Sequence, residues 1–144
     1  MKPSLRLTSV HLRVRSLTRS LEFYQRRLGF VVTAQTSDRA ELAPAAGSAP
    51  ILTLTAAPAA AANPREAAGL FHAALLFPSR PALGAWLAFA AAQRIDFEGF
   101  SDHAVSEALY LTDPEGNGIE IYRDRPRSEW RYPNGQLVIN TTPF

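Results

Sequence analysis

The segment SEALYLTDPEGNGIEIY, residues 106–122, constrains the fold more than any other part of the chain. Two alternating runs flank the tight turn Asp113-Pro114-Glu115-Gly116-Asn117-Gly118, a pattern that predicts an antiparallel hairpin. In the second run Ile119 and Ile121 share one face, so Glu120 and Tyr122 take the other. One face of the sheet therefore goes to a core, and the opposite face must accommodate a carboxylate. A carboxylate stripped of water on the inner face of a curved sheet needs a partner, and a bound cation is a common one. Further ligands are then to be sought elsewhere in the chain.

The same order of elements is written twice. Residues 10–14 alternate as a strand, and Ser16 can cap a helix whose apolar positions Leu17, Leu21, Tyr24 and Leu28 keep helical spacing up to Gly29. Strands are predicted next over residues 30–36, 39–43 and 50–55. Residues 56–69, rich in Ala and Pro and containing Asn63-Pro64, read as a connection. Residues 70–77 then form a strongly apolar strand, and Ser79 with Pro81 opens a helix through about Gln93 that carries Leu83, Trp86, Leu87 and Ala90. Residues 95–100, 106–111 and 118–122 supply three more strands. The expected fold is α+β, two strand-helix-three-strand (βαβββ) units pairing into a cupped, cavity-forming sheet. These units, about 5–56 and 69–122, make one domain over residues 1–122, followed by a tail at 123–144.

Composition narrows the function classes. A chain of 144 residues can bury a proper core. With no cysteine, thiolate metal sites, disulfides and cysteine nucleophiles are excluded together. Its 15 Lys+Arg and 13 Asp+Glu leave a net charge of only +2 and no dense basic run, so no nucleic-acid partner is expected. No stretch is long and apolar enough to span a bilayer, and a cytoplasmic setting is expected. The charges Arg123, Asp124, Arg125 and Arg127 are expected to form a solvated face, and Trp86 and Phe89 to pack on the second helix.

Strand, helix and strand order together with LTDPEGNGIEIY resembles the vicinal oxygen chelate superfamily of glyoxalases, extradiol ring-cleaving dioxygenases and bleomycin-resistance proteins. The nearer resemblance is to the N-terminal half of catechol 2,3-dioxygenase-like ring-cleaving proteins. It is carried by HLRV, LEFYQRRLGF, FHAALLFPSR, DHAVSEALYLTDPEGNGIEIYRDRP and SEWRYPNG. In the long ring-cleaving proteins, such a half is followed by a second pair of units.

The resemblance implies metal ligands on the first and last strands of each unit, which places them at His11, His72 and Glu120, with Thr53 at the fourth position. Threonine is a poor ligand, so the chain departs from the glyoxalase ligand pattern and keeps two histidines and one carboxylate. Such a set holds Fe(II), with Mn(II), Zn(II) or Ni(II) as alternatives, and leaves adjacent positions for a substrate and dioxygen. The implied partner is a small aromatic or other oxygen-chelating substrate. His103, Tyr110 and Tyr122 are the candidates for moving the catechol proton, His103 first because imidazole titrates near neutral pH. Plainer readings stand beside these: a solvent-facing carboxylate for Glu120, ordinary packing for His103 and the tyrosines, and a solvated arginine at Arg13. A glyoxalase-like isomerase or lyase, or a bleomycin-resistance-like binding protein without turnover, uses the same framework. A homodimer is expected, because sheet edges and apolar helix faces are left over.

Overall fold

The computed structural model describes residues 8–61 and 69–143, so residues 5–7 of the first expected unit, and Asn63 and Pro64 of the connection, lie outside the described residues. The chain divides into two compact units at residue 65.

The first unit runs β1 (Val10–Val14), α1 (Leu17–Glu22) continuing into one π turn (Phe23–Arg27), β2 (Val31–Gln35), β3 (Arg39–Ala43) and β4 (Leu52–Ala56). Its sheet has the order β1-β4-β3-β2, with β1 parallel to β4 and the other pairs antiparallel. Ser16 starts α1 in extended backbone, its hydroxyl accepting from the Arg19 amide at 3.3 Å. Leu17, Leu21, Tyr24 and Leu28 are buried as their spacing predicts, and so are Leu12, Val14, Leu42, Leu52 and Leu54 of the sheet. The π turn, closed by the Leu28 amide on the Phe23 carbonyl at 3.1 Å, inserts a residue before the helix stops at Gly29 in left-handed backbone (φ 86°).

The second unit runs β5 (Ala73–Leu76), α2 (Arg80–Ala92), β6 (Gly99–Asp102), β7 (Ser106–Thr112), β8 (Gly118–Asp124), two short 3-10 turns (Arg127–Glu129 and Pro133–Gly135) and β9 (Thr142–Pro143). Its sheet order is β5-β8-β7-β6-β9, with β5 parallel to β8 and all other pairs antiparallel. Strand, helix and three strands, with the first strand parallel to the last, thus occur in both units as the duplicated sequence pattern predicts. Helix α2 packs against β8. Its inward side chains Leu83 and Ala90 are buried, as are Leu109, Leu111, Ile119 and Ile121 of the sheet.

Three expectations are corrected. The strand expected over residues 95–100 lies instead at Gly99–Asp102, because Ile95 is used to end α2. Arg94 takes left-handed backbone (φ 54°), its amide bonds the Ala91 carbonyl, and the Ile95 amide bonds the Ala90 carbonyl with the Ile95 side chain buried beneath. This is the Schellman ending with its usual apolar residue. The strand expected at 70–77 is confined to Ala73–Leu76, so His72 precedes it. Most consequentially, Arg123 and Arg125 do not belong to a solvated face.

Arg123 shares the inward phase of Ile119 and Ile121 and is 6% exposed. Its cross-strand neighbour Glu107 is 8% exposed, and the two meet at 2.8 and 2.9 Å. Arg80 from the start of α2 and Arg125 also reach Glu107, each at 3.0 Å, and Arg125 continues to Asp102 at 2.8 Å. The Arg123 hydrogen bond holds the Glu107 carboxyl below the usual carboxylate range; its charge and those of Arg80 and Arg125 add to this, against the opposing effect of burial. Beyond the strand, Arg127 stacks over Trp130 at 3.8 Å, and the Trp130 indole N–H donates to the Arg125 carbonyl at 3.0 Å.

Candidate functional site

The site grows from the hairpin β7–β8. Asp113 fixes its turn: one carboxylate oxygen accepts the Glu115 and Asn117 amides at 2.8 Å each, and the other accepts the Asn117 side-chain amide at 2.9 Å. That turn sets the register in which Tyr110 stands directly across from Glu120. Both project from the face opposite α2, as the alternation predicts.

From Glu120 a continuous chain of polar contacts runs through the second unit. One Glu120 oxygen lies 2.9 Å from His72 Nε2, and the other accepts from the Tyr110 hydroxyl at 3.0 Å. The Tyr110 oxygen lies 2.8 Å from His103 Nε2, and His103 Nδ1 faces the Asn140 carbonyl at 3.2 Å and the Thr141 hydroxyl at 3.3 Å. Glu120 is largely buried, its side chain 13% exposed against 25% for His72. His103 is placed by a tight turn in which Ala104 has φ 64°, its amide bonds Asp102, and the His103 amide bonds the Ser106 carbonyl. Gly118 lets the segment before β5 approach β8: a methyl group there would lie 2.5 Å from the Phe71 carbonyl oxygen and 3.2 Å from His72 Cβ.

Burial first, then the Glu120 hydrogen bond and charge, pushes the Tyr110 hydroxyl up to about 12. Tyr122, on the same face and half-buried, is raised by burial, then by Asp124 and Glu120. Both tyrosines therefore keep their protons at neutral pH and act as donors.

In the first unit His11 lies across from Thr53 on β4, and Glu41 on β3 lies across from Thr53 in turn. His11 Nε2 contacts the Thr55 hydroxyl at 2.8 Å, and Glu41 pairs with Arg39 at 2.9 Å. Among the described residues no group of three or more His, Asp or Glu side chains is placed to hold a metal ion. His72 and Glu120 nevertheless suit a cation. Imidazole nitrogen and carboxylate oxygen 2.9 Å apart match neighbouring ligands around an octahedral ion with bonds of about 2.1 Å, which stand roughly 3.0 Å apart.

Asn140 and Thr141 escaped the sequence reading, since nothing local marks a loop carbonyl and hydroxyl as partners of a distant histidine. The Glu107–Arg123 pair did leave a signal: each charge shares the phase of the apolar residues on its own strand, at Leu109 and Leu111 and at Ile119 and Ile121. No helix among the described residues is long and apolar enough to cross a membrane.

Two repeated α+β units with a carboxylate on the last strand define a superfamily, and the comparisons agree. Residues 6–121 match the model of the Glyoxalase/Bleomycin resistance protein/Dioxygenase superfamily, and the chain belongs to it. It is 47% identical over 147 residues to a catechol-2,3-dioxygenase of Bacillus subtilis (strain 168), an alignment covering 94% of this chain and 51% of that protein. The chain thus spans about half the length of the curated relative it matches. Among solved structures, a glyoxalase/bleomycin resistance protein/dioxygenase from Alicyclobacillus acidocaldarius aligns with a TM-score of 0.68 at 16% identity, covering 90% of this chain and 98% of that one. A lactoylglutathione lyase from Agrobacterium tumefaciens aligns with a TM-score of 0.65 at 18% identity, covering 85% and 96%. At such identities these two establish the fold alone.

Proposed function

We propose that this chain is a metal-dependent extradiol dioxygenase domain that opens the ring of a catechol-type substrate. The observation that carries the reading is the contact of Glu120 with His72 on one side and with the Tyr110–His103 pair on the other. It joins a ligand pair to a proton-handling pair. The likeness to the Bacillus subtilis catechol-2,3-dioxygenase supports the choice of substrate class.

In this proposal His72 and Glu120 of the second unit hold the metal, Fe(II) before Mn(II), Zn(II) or Ni(II). Fe(II) held by these residues would supply the redox and Lewis-acid chemistry that attack of dioxygen on a catechol requires. Both atoms of dioxygen enter the ring-opened product, so no outside reductant is consumed. Tyr110, protonated at neutral pH, and His103, 2.8 Å from its hydroxyl, are the groups beside Glu120 that would handle the proton the catechol gives up. Tyr122 supplies a second hydroxyl on the same face. The reading includes assembly as a homodimer.

The test is anaerobic loading with Fe(II), addition of a panel of catechols, and admission of oxygen. Oxygen consumption with a yellow ring-opened product is expected. Glu120→Ala should retain the fold and lower retained metal by more than tenfold, since even loss of a residue supporting a ligand costs about 10–100-fold in affinity. An iron-loaded chain that binds catechols and consumes no oxygen across the panel defeats the reading, leaving a binding domain or half of a larger enzyme.

A further inference from the structure

The tail does more than follow the last long strand. β9 pairs with β6, and the Asn140 amide bonds the His103 carbonyl, which brings Asn140 and Thr141 against the His103 ring. We propose that Asn140 and Thr141 are positioning residues that decide which nitrogen of His103 carries hydrogen, and that the Thr141 hydroxyl thereby sets the direction of the hydrogen-bond chain ending at Glu120.

The argument is a count of donors and acceptors. The Tyr110 hydroxyl has one hydrogen and two neighbours, Glu120 Oε1 at 3.0 Å and His103 Nε2 at 2.8 Å. A carboxylate accepts only, so the tyrosine hydrogen goes to Glu120 and its oxygen must receive a hydrogen from His103 Nε2. A neutral imidazole with hydrogen on Nε2 has a bare lone pair on Nδ1. Of the two groups facing Nδ1, the Asn140 carbonyl cannot donate and the Thr141 hydroxyl can. Thr141 therefore stabilises the form in which every hydrogen points from the tail through His103 and Tyr110 to Glu120. Without that hydroxyl the Asn140 carbonyl is left as the neighbour of Nδ1 and favours hydrogen there. Nε2 must then accept from Tyr110, whose hydrogen turns away from Glu120. Once His103 is charged, both nitrogens donate, Nδ1 to the Asn140 carbonyl, so the same two tail groups serve both charge states. The catalytic meaning of this arrangement rests on the dioxygenase reading; the hydrogen placement does not.

The experiment is nitrogen NMR of the isotopically labelled 144-residue chain, treated with chelator, at a pH where imidazole is neutral. His103→Gln identifies the His103 signals by their loss. The expected result is hydrogen on Nε2 in the parent, transfer of most of the population to the Nδ1–H form in Thr141→Val, and return to Nε2–H in Thr141→Ser. The valine variant keeps the β9–β6 ladder and the Asn140–His103 backbone bond, so it should fold. The parent result stands as a test by itself: His103 already in the Nδ1–H form overturns the proposal, as does an unchanged tautomer in folded Thr141→Val. If the tautomer shifts as expected while no catechol supports oxygen consumption, the dioxygenase reading falls and this inference stands.

Discussion

Gly118→Ala offers the sharpest test of how the site is built. The added methyl carbon would sit 2.5 Å from the Phe71 carbonyl oxygen, whereas ordinary contact begins at 3.4 Å. The shortfall, 3.4 minus 2.5, is 0.9 Å, and the obstructing atom belongs to the main chain, so no side-chain rotation relieves it. The segment carrying Phe71 and His72 must withdraw from β8. Full transmission of that displacement would open the His72–Glu120 contact from 2.9 to about 3.8 Å, beyond hydrogen-bonding range. Overpacking of this kind costs about 1–3 kcal/mol, which in a chain this size lowers Tm by roughly 3–10 °C. Gly84→Ala is the control. It lies inside α2 with nothing within 4 Å of the added methyl group, so it should raise stability by about 0.5–1 kcal/mol. Paired thermal melts and metal retention read both effects. A Gly118→Ala protein as stable as the parent and retaining as much metal would refute the reasoning.

Glu107→Gln should destabilise the fold by about 3 kcal/mol, the low end for breaking a buried ion pair, because Arg123 stays buried while Arg80, 75% exposed, can turn to water. Denaturant titration checks it, and a loss under about 1 kcal/mol would contradict the burial argument. Acid sensitivity follows from the same group. Because the folded-state pKa of Glu107 is depressed, its contribution is complete above the unfolded-state value near 4.3 and fades as pH falls through the folded value. Stability measured from pH 6 down to about pH 3 should fall more steeply in the parent than in Glu107→Gln; parallel curves would count against the assignment. Phe71, 88% exposed, and Leu76, 56% exposed, flank or lie on β5, an edge strand of the second sheet, so light scattering should give twice the chain mass. A monomer mass at every concentration would contradict this.

The fold was legible because both halves of the chain repeat the same periodicities. Ser16 and Ser79 cap their helices as read, and the Ile119/Ile121 phase assigns Glu120 to the face opposite α2. Local pattern failed where a residue served a partner far along the chain. Ile95 reads as the start of a strand and instead plugs the end of α2; Arg123 reads as surface charge until Glu107 is set beside it across the ladder. The link between His103 and Tyr110 needed a turn with positive φ at Ala104, a conformation that alanine does not advertise. The pairing of Tyr110 with Glu120 was implicit in the hairpin, since the Asp113 turn fixes which residues face each other.

β9 is two residues long, yet it occupies the outer flank of β6, where amide and carbonyl groups would otherwise stand open. Such a flank is a template on which strands from other molecules can assemble. Pro143 has no amide hydrogen and so makes a poor continuation of the ladder toward a newcomer. Cleavage just before Asn140 would uncap this flank and open the β6 edge to pairing with strands of other molecules.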